Sequence, residues 1–138
     1  MWHDLAGENG HDHQGQVIKL IDNLVVSNHQ VVIIEGSRFD QKAWALCNNE
    51  GPLVVKSVVA FVKNIRQNFD RCRILKMAEV CSLPEALSKV IKPDDHYLVQ
   101  AQFAAEGATI VTTDNPLRSV LHSVGLKCIS REEFLELF

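Results

Sequence analysis

A three-layer α/β/α domain with a mostly parallel central sheet is the architecture this sequence predicts, and three observations predict it. Short β-branched runs at residues 30–34 (QVVII), 108–112 (ATIVT) and 126–129 (LKCI) each fit a buried strand, and stretches of helical periodicity lie between them. Strands that alternate with helices fold into parallel sheets covered on both faces, because each crossover lays a helix on the sheet. The chain has 138 residues, 46% hydrophobic and 22% charged, which suits one compact domain with an adequate core.

Residues 1–14 (MWHDLAGENGHDHQ) are polar and Gly-containing, and the expected state is a mobile or loosely packed terminus. His3, His11, His13, Asp4 and Asp12 gather there at a spacing that matches no established metal-ligand motif. In residues 16–26, Val17, Leu20, Ile21 and Leu24 recur at helical spacing and Val25 extends the stripe. A competing reading makes residues 17–21 a strand that ends at Asp22. Residues 30–34 form a short strand between Asn28-His29 and Gly36. Ser37 and Asp40 then have the S-x-x-D spacing of a helix start, with Phe39, Ala43, Trp44 and Cys47 on the apolar face. Asp40 has two readings at this point: a capping carboxylate, which local sequence favours, or an acid facing a metal site.

After Gly51-Pro52, the residues Val54, Val58, Phe61, Val62, Ile65 and Phe69 mark the longest helix, whose polar face carries Lys63 and Arg66. Residues 72–80 fit a helix or a short strand, and residues 84–90 one or two helical turns. Past Asp114, Asn115-Pro116 opens a helix with Leu117, Val120 and Leu121 inward, and Gly125 ends it. Residues 126–129 are a last strand, and Ser130 with Glu133 forms a capping box for a terminal helix bearing Phe134, Leu135 and Phe138. No repeat, low-complexity tract or internal linker interrupts the chain.

Several function classes are excluded or disfavoured. No apolar run approaches the ~20 residues that span a bilayer, and the start lacks a basic segment followed by an apolar one, so the expectation is a cytoplasmic protein with no membrane partner. Cys47, Cys72, Cys81 and Cys128 form no CxxC pair and read as reduced, buried thiols. There is no G-x-S-x-G elbow, Cys/His nucleophile arrangement, G-x-G-x-x-G or P-loop. The net charge of −3 argues against non-specific coating of nucleic acid. It averages over a basic stretch, Lys56, Lys63, Arg66, Arg71, Arg73 and Lys76, that reads either as a phosphate-tracking patch or as a solvated helix face.

Residues 93–116 hold the strongest functional signal. Pro93, Asp94 and Asp95 open a helix where the positive end of its dipole favours carboxylates, Leu98, Ala101, Ala104 and Ala105 give that helix a small-residue face, and Gly107 stops it. The strand that follows delivers Asp114 at its carboxyl end, the side of an open parallel sheet where ligands bind. Clustered carboxylates repel unless protonated or neutralised by a cation, and an acid group without Cys or His suits a hard ion such as Mg²⁺ or Mn²⁺. Such an ion polarises a phosphoryl oxygen and generates a hydroxide nucleophile, the chemistry of phosphodiester hydrolysis.

The segment PDDHYLVQAQFAAEGATIVTTDNPL, followed by GLKCISREEFLELF, resembles the C-terminal half of a PIN domain, a family of metal-dependent ribonucleases that includes toxins of toxin–antitoxin pairs. The shared pattern is an acid opening an Ala-rich helix, Gly-Ala, a strand ending in Val-Thr-x-Asp, a short helix, a final strand and an E-F-L ending. Upstream, residues 16–44 are similar to the family's second helix, short strand and next helix start. The resemblance implies that Asp95, Asp114 and Asp40 are catalytic metal ligands, with Asp94 as an alternative to Asp95. It also implies Mg²⁺ or Mn²⁺ as cofactor and RNA as substrate, with Lys63, Arg66, Arg71, Arg73 and Lys76 on the RNA backbone. An antitoxin-like protein or a second copy of the chain would be the partner. The chain departs from the family at its start, where the hydrophobic strand with a terminal Asp that fills the middle of the sheet has no clean counterpart. If residues 16–26 are the second helix, the chain starts just after that strand's place; if Asp22 is the first acid, a helix is missing before residues 30–34. A PIN-like interaction module without catalysis is therefore the alternative function.

Overall fold

The computed structural model describes residues 1–49 and 51–138. The elements are α1 (Trp2–Leu5), α2 (His11–Val26), β1 (Val31–Ile34), α3 (Arg38–Asn49), α4 (Pro52–Phe61), β2 (Cys72–Leu75), α5 (Glu85–Val90), α6 (His96–Ala104), β3 (Ile110–Val111), α7 (Asn115–Ser123), β4 (Cys128–Ile129) and α8 (Arg131–Leu137). The expected mixture of helix and parallel strand is present. β1 runs parallel to β2, with Val31 opposite Cys72 and Ile34 opposite Leu75. β3 runs parallel to β4, with Ile110 opposite Cys128 and Val111 opposite Ile129.

The strands do not join into one central sheet: among the described residues they form two separate pairs. Each pair has its own apolar cluster. Val17, Ile21, Ile33, Leu46, Val58 and Phe61 belong to the first; Ile91, Val99, Ile110, Leu117, Leu121 and Cys128 form the second. Between the pairs, the edges of β1 and β3 face an open groove of about 710 Å³.

Residues 16–26 are helical, so the strand reading that ended at Asp22 is overturned; Asp22 is exposed on α2. The start of the chain also corrects its expectation. Trp2 and Leu5 are buried, the Trp2 ring lies 5.0 Å from Phe39 and 5.5 Å from Phe61, and its indole N–H donates to the Phe39 carbonyl at 2.8 Å. Two large apolar anchors outweigh a polar setting, because burying them releases more free energy than ordering a few flanking residues costs. Asp4 accepts from Arg131 Nη1 at 2.6 Å, and Arg131, 2% exposed, also reaches Gln16 at 2.6 Å and His13 at 3.0 Å. This buried ion pair ties α1 and α2 to α8.

The long helix predicted through Phe69 ends earlier. α4 passes into one wide π turn over Val62–Arg66, closed by the Gln67 N–H donating to the Val62 carbonyl at 2.9 Å, and Phe69 is exposed beyond it. The extra residue per turn shifts every following side chain around the axis, so the sequence periodicity no longer gives the direction of Arg66. Residues 72–75 take the strand option. At the carboxyl end of the chain the caps are as expected: Ser130 Oγ accepts from the Glu133 N–H at 3.0 Å, and Glu133 Oε2 accepts from the Ser130 N–H at 2.6 Å. Cys72 and Cys128 are buried and Cys47 partly so, whereas Cys81 is exposed, against its expectation.

Candidate functional site at the acidic end of the strands

Asp95 is placed by the single tight turn Pro93–Asp95 that precedes α6, with its own N–H donating to the Lys92 carbonyl at 2.9 Å. Asp114 is placed by β3, which ends three residues earlier, and by α7, which it caps: Asp114 Oδ1 accepts from the Leu117 N–H at 2.9 Å. Proline at the start of α7 needs no hydrogen bond there, so the Asn115-Pro116 opening fixes the helix and the carboxylate together. The two acids line the same groove. Burial pushes the Asp95 carboxyl above its usual range, the charges of Asp114 and Asp94 push it further, and Lys92 and Arg38 offset this in part. Asp94 is exposed and pairs with Arg38 at 2.5 Å.

Asp40 is elsewhere. Its Oδ1 accepts from Arg66 Nε at 2.9 Å, and its Oδ2 accepts from Arg66 Nη2 at 3.3 Å and from the Gly36 N–H at 3.0 Å. Both oxygens are occupied and the side chain is 5% exposed. Burial alone would raise this carboxyl; the Arg66 hydrogen bond, the Gly36 amide and the Arg66 charge outweigh it, and the net shift is downward. Asp40 thus has structural partners, although it accepts from the Gly36 N–H and not, as the capping reading expected, from the amide of Ser37. Its reach back to Gly36, one residue before Ser37, completes the turn between β1 and α3, while the Asp40 N–H donates to Ser37 Oγ at 3.4 Å.

The basic patch is also redistributed. Arg66 turns inward to Asp40 and lies 5.0 Å over the Trp44 ring. Arg71 donates to the carbonyls of Leu24, Val25 and Ser27 at the end of α2, which lacks internal partners for them. Lys63, Arg73 and Lys76 remain on the surface. Five cations close in sequence thus divide into two structural and three exposed ones.

Other side chains, unmarked by motif, do meet the acids. A cleft of about 560 Å³ is lined by Arg38, Lys42, His3, Asp94, Asp95 and Tyr97, among others. Arg38 and Lys42 stand four residues apart at the start of α3, hence on one helix face; that spacing was the available signal for them. The Tyr97 hydroxyl is pushed up by burial and then by Asp95. Cys72 is no nucleophile, since burial pushes its thiol up to about 11.

No group of three or more His, Cys, Asp and Glu side chains that could cage a metal ion exists among the described residues. Asp95 and Asp114, two hard carboxylates, line one groove. Mg²⁺ is held in many enzymes by one or two carboxylates while it keeps several waters, and the pair fits that mode rather than a closed cage. No protein family, curated protein or solved structure matches the chain. Among the described residues, no helix is long and apolar enough to cross a membrane.

Proposed function

We propose that the chain is a PIN-like domain, a three-layer α/β/α build, that hydrolyses RNA phosphodiester bonds with Mg²⁺ or Mn²⁺ held by Asp95 and Asp114. The observation that carries this reading is that Asp95, at the start of α6, and Asp114, three residues past β3, line the same groove, where the Asp114 charge adds to burial in pushing the Asp95 carboxyl up. The bound ion would polarise a phosphoryl oxygen and supply hydroxide at neutral pH. The chain's own residues orient and bind. Asp114 is held rigid by the Leu117 amide, Arg38 and Lys42 line the adjoining cleft where a phosphate would lie, and Lys63, Arg73 and Lys76 offer further backbone contacts. Free thiols without CxxC spacing suit the reducing cytoplasm.

The test is cleavage of a single-stranded RNA in Mn²⁺ by the purified protein and by Asp114→Asn. Asn still caps a helix, so the variant keeps its fold while losing a charged ligand. Cleavage that falls to background in the variant is the expected result; equal cleavage by both proteins, or none by either, overturns the assignment.

A second reading has its own observation. Asp40 is closed off by Arg66, which leaves two carboxylates where the PIN resemblance implies more, and this favours a non-catalytic PIN-like module that binds a second copy or a small antitoxin-like protein. Loss of RNA cleavage together with a stable complex distinguishes it.

A further inference from the structure

We propose that the groove between β1 and β3 receives an extended strand of a partner protein, parallel to both edges, apolar along its length and followed by a Lys or Arg that meets Asp95 and Asp114. The proposal does not depend on RNA cleavage.

The backbone sets the shape of the occupant. The Val31 and Glu35 N–H groups donate to Arg71 and Leu75 carbonyls, both at 2.8 Å, so residues 31, 33 and 35 face β2. In a parallel ladder the alternate residues point the other way, and Val32 and Ile34 therefore present their amides to the groove. On the far side, Ile110 and Thr112 donate to Lys127 and Ile129 at 3.0 and 3.1 Å, which turns Thr109, Val111 and Thr113 toward the same groove. No strand pairs with either edge among the described residues. Two unpaired edges that face one gap make a template for one added strand.

A buried acceptor adds to this. Gln102 lines the groove and is 6% exposed; its amide nitrogen donates to the Ala108 and Lys127 carbonyls at 2.7 and 2.8 Å, and its Oε1 has no donor. A buried oxygen left unpaired costs about 1 to 3 kcal/mol, so a donor brought into the groove is favoured.

The direction follows from the ends of the strands. Arg38, just past β1, pairs with Asp94, the neighbour of Asp95, and Asp95 lines the groove together with Ser37, just past β1, and Asp114, just past β3. The carboxyl ends of β1 and β3 thus lie on one side, and a strand parallel to both carries its own carboxyl end to the acids. Purely parallel sheets are favoured over mixed ones beyond chance. The walls decide composition. Leu20 and Leu24 of α2, Phe134 and Leu137 of α8, and Leu98 and Ala101 of α6 line the groove, so both faces of the incoming strand meet apolar side chains and a Val/Ile run fits. At the mouth the groove is lined by Asp95 and Asp114, whereas Arg131 and the amino terminus, which also line it, pair with Asp4, so the two carboxylates are complementary to a cation on the strand.

The experiment uses the full chain in EDTA without RNA, titrated with the blocked peptide Ser-Gly-Thr-Val-Ile-Val-Val-Lys-amide and with the same peptide ending in Glu. Amide exchange at Val32, Ile34 and Val111 should slow on binding, and the Lys peptide should bind at least about tenfold more tightly than the Glu peptide. Asp95→Asn should narrow that difference while the same amides stay protected. The proposal is overturned by unchanged exchange at these amides at millimolar peptide, by equal affinity for Lys and Glu peptides, or by a homodimer whose groove amides are already protected without peptide.

Discussion

Replacing Arg66 by Met should cost the folded state about 3 to 5 kcal/mol at neutral pH, the penalty of leaving one member of a buried ion pair alone. Met keeps much of the apolar stem but removes the guanidinium, whose Nε and Nη2 lie 2.9 and 3.3 Å from the Asp40 oxygens. The Asp40 side chain is 5% exposed, so its charge would stay in the interior with the Gly36 amide, at 3.0 Å, as its remaining partner. Loss of the cation over Trp44 adds about 0.5 to 1 kcal/mol. A chain of this length unfolds with an entropy of about 0.3 kcal/mol per kelvin, so Tm should fall by roughly 12 to 20 °C. The pH dependence has a definite sign. The folded-state pKa of Asp40 lies below its ordinary 3.8, so the pair's stabilisation is present above pH 3.8 and is lost as the pH falls through the folded value. The deficit of Arg66→Met should therefore be largest near neutrality and shrink in acid, where Asp40 takes up a proton. Urea unfolding of the wild type, Arg66→Met, Asp40→Asn and the double variant measures it, and the double variant should recover part of the loss because no charge is stranded. An Arg66→Met protein within about 1 kcal/mol of wild type at pH 7, with no coupling between the two positions, would refute the structural role of Asp40. It would also return Asp40 to the metal ligands.

Three further outcomes are expected. Asp95→Asn should raise Tm at pH 7, because a carboxyl whose folded-state pKa is raised destabilises the fold when ionised, and the gain should vanish well below pH 3.8; calorimetry that finds an equal gain at both pH values contradicts it. Ser130→Ala should cost about 1 kcal/mol in urea unfolding through loss of the cap on α8, and a midpoint identical to wild type would show that the capping box carries no stability. Arg131→Met should strand Asp4 and cost about 3 kcal/mol or more, with Lys76→Met, an exposed cation, as a control that stays within about 0.5 kcal/mol.

The sequence made local structure legible where one element determines it. The capping box at Ser130 and Glu133, the Pro-led start of α7, and the glycine stop after α6, where Gly107 adopts φ of 91°, are written in neighbouring residues and appear as read. What escaped depends on distant residues. Arg66 looked like a surface cation because a helical wheel assumes a constant turn, and the π turn at Val62–Arg66 breaks that assumption. Trp2 and Leu5 were hidden by polar neighbours, since composition over a window averages out two anchors whose partners, Phe39 and Phe61, come much later. The strands at residues 31–34 and 110–111 were visible as β-branched runs, but a run does not say which edge it meets, so the division into two pairs was not. At the candidate site, Asp95 and Asp114 line one groove, a placement in keeping with their helix-start and strand-end positions, whereas the partner of Asp40 is an arginine 26 residues away that no local pattern names.

The ion pair between Asp4 and Arg131 spans 127 residues of chain. A ribosome makes Asp4 well before Arg131. Until the arginine emerges, Asp4 lacks the guanidinium it is buried against, so seating α1 in the core is less favourable before that point than after it. The pair therefore couples the docking of α1 to the arrival of α8.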